Sequence, residues 1–305
     1  MSALLPTREN LAFATQQLQA GNLVILPTET VYGLAADATN PEAIAKIFQV
    51  KGRPADNPLI VHIASLKQIT QFATSIPDSV QRLAEAFMPG PLTIVLPKQP
   101  HVSEIVTGGL DTVAIRMPDH PACLAVMELG DLSLAMPSAN PFMGLSPTNV
   151  KMIDPSLIEG AAAIVDGGSC TVGIESTVLD LTSSEPTILR PGSISKELIE
   201  DVLNLKVGSS DAVRKAPGMY RRHYAPRTKC VVTGVVEPDQ PGLVFDEPEN
   251  ANQIQMPMDS KAYAQQLYAS LSDLDCRGLP EFFVQAPPMN VHWLAVWDRL
   301  SKATS

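Results

Sequence analysis

Two short stretches concentrate groups able to hold oxyanions: Lys51-Gly-Arg53 and, 85 residues further on, Ser138-Ala-Asn140. A Lys and an Arg one residue apart, with Asp56 the one acid nearby in sequence, are expected to be solvated or to face a polar ligand. A dry, unpaired charge is too costly. A cation at a helix C-terminus also favours the helix dipole, which accounts for one of the pair more readily than for both. Ser138 and Asn140, within Met136-Pro-Ser-Ala-Asn-Pro141, offer a hydroxyl and an amide but no apolar surface.

Other candidates sit in strand-like runs. In Thr112–Met117, Val113, Ile115 and Met117 share one face, and Thr112, Ala114 and Arg116 the other. An arginine in such a strand needs a planar anion, either a ligand carboxylate or a structural salt-bridge partner. His62, in Leu59-Ile-Val-His-Ile63, is read as a core or edge histidine with a functional alternative. Pro27-Thr-Glu-Thr-Val-Tyr-Gly33 follows a buried strand, where α/β proteins carry binding loops, although Thr28 and Thr30 also suit a turn. Arg190 closes a strand before Pro191-Gly192 and reads as an ordinary strand end; Ser146 and Ser176 say little alone. No G-x-x-x-x-G-K-[ST], G-x-G-x-x-G or Ser-His-Asp pattern is present. Catalysis, if any, would place charges rather than form a covalent intermediate.

The elements that must position these groups alternate between strands and helices. Apolar runs predict strands at 23–26, 59–63, 92–96, 112–116, 162–165, 176–181 and 187–190. Helices are predicted from about Pro41 to Val50, with Asn40 as N-cap and Pro first, and from Asp78 to Met88. After a Pro-bounded basic stretch, strands at Cys230–Thr233, Gly242–Phe245 and Glu281–Val284 alternate with helices at Ala262–Leu274 and Val291–Ala303. The expected organisation is an α/β catalytic domain over 1–210, a basic linker over 211–229 and a small α/β domain over 230–305.

Composition narrows the class. The 305 residues are 45% hydrophobic, 18% charged and 5% aromatic, so the chain can bury a sizeable aliphatic core. No apolar run reaches the roughly 18 residues of a membrane helix and the N-terminus lacks signal-peptide regions, so a cytoplasmic location is expected. Four scattered cysteines and five scattered histidines give no disulfide framework and no metal-ligand spacing, and no protein metal site is expected. Formal charge is −9 over 1–210, +5 over 211–229 and −6 over 230–305. The acidic body disfavours stable direct binding of RNA, and the linker would attract an anion.

Taken together the segments resemble the YrdC-like family, and within it the two-domain L-threonylcarbamoyladenylate synthases. The resemblance is carried by Leu26-Pro-Thr-Glu-Thr-Val-Tyr-Gly-Leu34, Lys51-Gly-Arg-Pro54 with Asn57-Pro-Leu59, Val113-Ala-Ile-Arg-Met-Pro118, Pro137-Ser-Ala-Asn140, Ile174-Glu-Ser-Thr-Val178, Leu189-Arg-Pro-Gly192 and the linker 217–226. It implies a twisted mixed YrdC-like sheet flanked by helices, plus a Rossmann-like C-terminal domain. It also implies a nucleotidyltransfer: L-threonine, bicarbonate or CO2, and ATP give threonylcarbamoyl-AMP and pyrophosphate. A downstream transferase would pass the group to tRNAs that read codons beginning with A.

By the same resemblance Thr30, His62, Arg116, Met136 and Ser176 would hold threonine. Arg53, Asn57, Thr112, Ser138, Ser146 and Arg190 would hold ATP, with His223 and Tyr224 reaching it from the linker as a lid. Lys51 and Asn140, with Arg53 and Ser138, would form the catalytic floor, and Mg²⁺ is expected with the triphosphate.

Overall fold

The computed structural model describes residues 2–209 and 222–304. Ten short strands build one mixed sheet: β1 (Val24–Leu26), β2 (Gly33–Asp37), β3 (Ile60–His62), β4 (Leu92–Pro97), β5 (Thr112–Arg116), β6 (Leu134–Ala135), β7 (Ala163–Ile164), β8 (Thr177–Asp180), β9 (Thr187–Arg190) and β10 (Gly208–Ser209). Their order is β10-β9-β8-β4-β5-β3-β6-β2-β1-β7. The pairs β3–β5 and β4–β8 are parallel, whereas β4–β5, β3–β6 and β8–β9 are antiparallel.

Side-chain alternation gives this sheet two unlike faces. Val61, Ile94, Val113 and Ile115 enter the main core with Ile44, Ile47 and Phe48 of the helix Pro41–Lys51. On the other face Ile60, Val95, Ala114, Val178 and Leu189 make a small separate cluster. The next residues on that face, at the ends of β3 and β5, are His62 and Arg116, which are register partners. The sequence alternation in 112–117 therefore holds in three dimensions. His62 is not at an edge, because β3 lies between β5 and β6.

Helix Pro41–Lys51 starts as expected: the Asn40 side chain accepts from the backbone N–H of Glu42 and Ala43, and Pro41 follows. It ends later than expected. Lys51 is the last helical residue, and Gly52 closes the helix in the left-handed region (φ 62). Helices Arg8–Gln19 and Pro121–Gly130, not predicted from the sequence, pack together through Ala14, Leu18, Val126 and Met127.

A second sheet is entirely parallel: β11 (Lys229–Thr233), β12 (Gly242–Val244), β13 (Gln253–Gln255) and β14 (Glu281–Gln285), ordered β11-β14-β12-β13. Helices Ser260–Asp275 and Leu294–Ala303 flank it, the latter preceded by a 3₁₀ turn, Val291–Trp293, where continuous helix was expected. The two units share apolar packing: Val31 and Ile174 join Tyr224, Tyr263, Tyr268 and Phe282 in one cluster. Among the described residues no helix is long and apolar enough to cross a membrane.

Candidate active site

A cavity of about 550 Å³, mouth included, opens over the sheet face that carries His62 and Arg116. Sheet register assembles its floor. Thr93 of β4 pairs with Arg116, and its hydroxyl lies 2.7 Å from the Ser176 hydroxyl just before β8. Arg190, at the end of β9, turns back so that its guanidinium donates to the Ser176 carbonyl (Nε 3.1 Å, Nη2 3.0 Å) and hydroxyl (3.1 Å). Four strands thus bring His62, Arg116, Ser176 and Arg190 to one end of the sheet, although they are far apart in sequence.

The loops close the sides. Thr28 donates to the Val31 carbonyl (2.6 Å), and its hydroxyl lies 2.9 Å from that of Thr30, so the pair forms a buried turn as well as cavity wall. Gly33 bridges to Ser138, which brings the 136–138 segment over Ile60. A Cβ on Gly33 would overlap Met136 Cγ and lie 2.7 Å from its sulfur, so any larger residue there would displace the Met136 side chain from the cavity wall. Arg53 enters from the turn after the helix, donating to the carbonyls of Asn57 (3.3 Å) and Pro58 (2.7 Å).

Neither Lys51 nor Arg53 is solvated: both side chains are buried, Arg53 facing the cavity and Lys51 not, which corrects the expectation for Lys51. Lys51 Nζ donates to the Ser138 carbonyl (2.6 Å) and to that of Asn140, so neutral backbone oxygens satisfy it instead of an acid. Burial and the charge of Arg53 lower its pKa well below the ordinary lysine value. Lys51 therefore sits behind the wall and fixes the Ser138–Asn140 segment.

Arg116 has a protein anion: its Nη2 donates to Glu29 Oε1 at 2.6 Å, and both side chains are about 5% exposed. Glu29 Oε2 also accepts from the Asp119 N–H at 3.0 Å. Of the two partners left open by the sequence, the salt bridge is present, and Arg116 still lines the cavity. Burial, then the charge of Arg116, lowers His62 to a pKa of about 3. His223 is likewise brought to about 3, mainly by burial. Both imidazoles are neutral near pH 7.

Of the residues singled out in the sequence, Thr30, Arg53, His62, Arg116, Met136, Ser138, Ser176, Arg190, His223 and Tyr224 line the cavity. Lys51, Asn57, Thr112, Ser146 and Asn140 do not. Thr112 lies at the opposite end of β5 from Arg116, and Asn57 and Asn140 are buried beside the loops, with Asn57 Nδ2 and Asn140 Oδ1 lacking partners. Ser146 donates at 2.5 Å to Glu175, a cavity residue inside the 174–178 motif to which the sequence reading gave no role. Burial raises the Glu175 pKa, but Arg299, Arg190 and the Ser146 bond outweigh it and hold the carboxyl at about 2.

The expected lid over 211–229 falls partly on residues 210–221, which lie outside those described. The described part crosses the cavity: the His223 N–H donates to the Lys302 carbonyl, and that of Ala225 to the Met143 carbonyl, both at 3.0 Å. Tyr224 between them is left-handed (φ 55). The His223 ring stands edge-on to Tyr224 with centroids 4.0 Å apart, and His223 Nδ1 and the Tyr224 hydroxyl are buried without partners.

Among the described residues no three His, Cys, Asp or Glu side chains cluster to hold a metal. The arrangement is a cationic, hydroxyl-lined hollow suited to an anionic or zwitterionic ligand.

Known proteins share this architecture. A family model described as telomere recombination, covering the Sua5, YciO and YrdC proteins, matches residues 16–192; one described as the C-terminal domain of threonylcarbamoyl-AMP synthase matches 194–305. A threonylcarbamoyl-AMP synthase of Pyrococcus abyssi is 47% identical over 221 residues, 70% of this chain, which spans 65% of that relative's length. One from Schizosaccharomyces pombe is 35% identical, covering 92% of this chain and 85% of its own. The structure of P. abyssi Sua5 complexed with L-threonine superposes with a TM-score of 0.87 at 38% identity, covering 96% of this chain and 94% of that one. With both of its units matched and its fold reproduced from end to end, the chain belongs to the Sua5/YciO/YrdC family.

Proposed function

We propose that the chain is a nucleotidyltransferase that makes threonylcarbamoyl-AMP from L-threonine, bicarbonate or CO2, and ATP, releasing pyrophosphate. The observation that carries this reading is the convergence of Arg53, Arg116 and Arg190 on one hydroxyl-lined cavity. Three guanidiniums exceed what one amino-acid carboxylate needs and suit a carboxylate together with phosphates. The P. abyssi protein crystallised with L-threonine supports the amino-acid half.

In this reading the threonine ammonium gives one proton to solvent, and the free amine nitrogen then bonds to the carbon of CO2 and releases a second proton to solvent, giving a carbamate; from bicarbonate the same bond forms with loss of water. A carbamate oxygen then attacks the α-phosphorus, and the bond to the β-phosphate oxygen breaks. Arg116 takes the threonine carboxylate with the N–H groups that Glu29 and Gly90 leave over, and Thr30, His62, Met136 and Ser176 surround the amino acid. A pKa near 3 makes His62 too weak a base to take the ammonium proton near pH 7, so it binds and orients. Arg53, Ser138 and Arg190 hold phosphate oxygens where charge grows during transfer. His223 and Tyr224 cover them and exclude water, which would hydrolyse the mixed anhydride. Asn57, Thr112, Ser146, Lys51 and Asn140 belong to the same proposal as groups beyond or behind the cavity wall.

Mg²⁺ would arrive on the triphosphate and be carried by phosphate oxygens. The protein residues do not fit a resident ion, because Glu29 and Glu175 are each tied to an arginine. The proposal places the reaction in the cytoplasm, and assigns the product to a tRNA threonylcarbamoyltransferase. Its organisation is a catalytic domain over 1–210, a linker over 211–229 and a C-terminal domain over 230–305. The test is pyrophosphate release from ATP with threonine and bicarbonate omitted in turn. Release that needs both supports the reading; release that ignores either overturns it.

A further inference from the structure

Glu175 is a carboxylate in the wall of a cavity whose other charged lining residues are Arg53, Arg116 and Arg190, and its main ion-pair partner comes from the last helix. Its Oε1 accepts from Ser146 at 2.5 Å. Its Oε2 accepts from the Tyr268 hydroxyl at 3.0 Å and from Arg299 Nε at 2.9 Å. Arg299, in the last helix, is 0% exposed. Its Nη2 donates to the Glu175 carbonyl at 3.1 Å and its Nη1 to the Pro191 carbonyl at 2.8 Å, with Asp298 as a second acid at 2.7 Å.

Glu175 precedes Ser176, and Pro191 follows Arg190. One buried guanidinium therefore grips the backbone beside both groups that the cavity presents from β8 and β9. Arg190 makes the complementary grip, on the Ser176 carbonyl and hydroxyl.

Resting on the nucleotide reading of the cavity, we propose that Arg299 is a positioning residue for the phosphate-binding wall. It cancels the Glu175 charge that would repel phosphate, and it fixes the strand ends that carry Ser176 and Arg190. The C-terminal unit is thereby part of the site's electrostatics and more than a platform for the covering segment. Tyr268, from the other helix of that unit, shares the task without adding charge.

The 305-residue chain tests this by calorimetric titration with a non-hydrolysable ATP analogue. Arg299→Met keeps the side-chain length and removes the charge; it should weaken nucleotide binding at least about tenfold by leaving Glu175 as an uncompensated buried anion. The double variant E175Q/R299M removes both charges without restoring the lost grip on Pro191, and should return affinity to within about threefold of wild type. A purely structural role for Arg299 would leave the double variant as weak as the single one, and that result overturns the proposal, as does wild-type affinity in Arg299→Met. Should Arg299→Met fail to fold, Glu175→Gln still decides, since Arg299 keeps Asp298: nucleotide should bind several-fold tighter, and equal or weaker binding overturns the proposal. A wild-type chain that binds no nucleotide takes down the functional reading and this inference together. Wild-type binding with an unaffected Arg299→Met removes only the inference.

Discussion

Arg116→Ala separates the salt bridge that Arg116 makes from the threonine-binding role proposed for it. In the folded chain Glu29, about 5% exposed, has Arg116 at 2.6 Å and the Asp119 N–H at 3.0 Å. Truncating Arg116 leaves a buried carboxylate with one backbone donor. Breaking a buried pair from one side costs about 3–5 kcal/mol, and the surviving bond places this case near 3. At roughly 2–4 °C per kcal/mol for a unit of this size, the melting temperature should fall by about 6–12 °C. Threonine binding should weaken by about 1.5–3 kcal/mol, or roughly 10- to 150-fold, the range for a hydrogen bond to a charged group.

A second substitution pulls the two effects apart. E29Q/R116A has no orphaned charge, so it should recover at least about half of the lost stability, because a buried amide costs far less than a buried carboxylate. It should not recover threonine affinity. Thermal unfolding and calorimetric titration of wild type, Arg116→Ala and the double variant read both quantities. Equal melting of the two variants would show that the orphaned charge is not the cause. A folded double variant that binds threonine like wild type would remove Arg116 from the amino-acid site.

Acid should destabilise the fold before most carboxylates titrate. His62 and His223 titrate near 3 when folded but near 6.5 when unfolded, so the unfolded chain binds more protons below about pH 6.5 and stability falls as pH drops from there towards 3. Glu175, at about 2 when folded, adds to the loss only below its unfolded value of about 4.3. Urea unfolding at pH 6 and pH 5 should therefore show a slope that His62→Gln reduces by about 1.2 kcal/mol per pH unit; an unchanged slope would contradict the buried neutral state. Lys51→Met strips one buried and one part-buried carbonyl of their donor, which should cost about 1–3 kcal/mol in unfolding experiments and slow pyrophosphate release; unchanged stability would contradict the grip on Ser138 and Asn140. Gly192→Ala would place a Cβ 2.7 Å from the Ser176 carbonyl carbon, so β8 and β9 must part at the cavity; ligand affinity should fall with stability, and a variant that melts and binds as wild type would contradict the close approach.

How far the sequence leads depends on whether a residue's role is local. Asn40 and Pro41 announce a helix start through their own chemistry, and the 112–117 alternation by itself puts Arg116 on the strand face opposite Val113 and Ile115. Lys51 is conspicuous in the sequence, but its burial is not legible there, because its partners are carbonyls 87 and 89 residues away that leave no trace in side-chain type. Glu29 stands between two threonines in a conspicuous loop, and only the register of β5 brings Arg116 to it. Glu175 is inconspicuous beside Ser176 for the same reason. The spacing of Val296, Arg299, Leu300 and Ala303 puts an arginine on the apolar stripe of the last helix, a signal that could have flagged Arg299. Its acid lies 124 residues earlier, and nothing in the sequence reaches that far.

The segment His223–Ala225 is fastened at both ends by main-chain bonds, one to the last helix and one to the loop at Met143, with Tyr224 in an uncommon backbone state between them. Peeling this strap aside requires each half of the molecule to release its own anchor. In the proposed function His223 and Tyr224 cover the bound nucleotide, so weakening either anchor should shorten the nucleotide's stay.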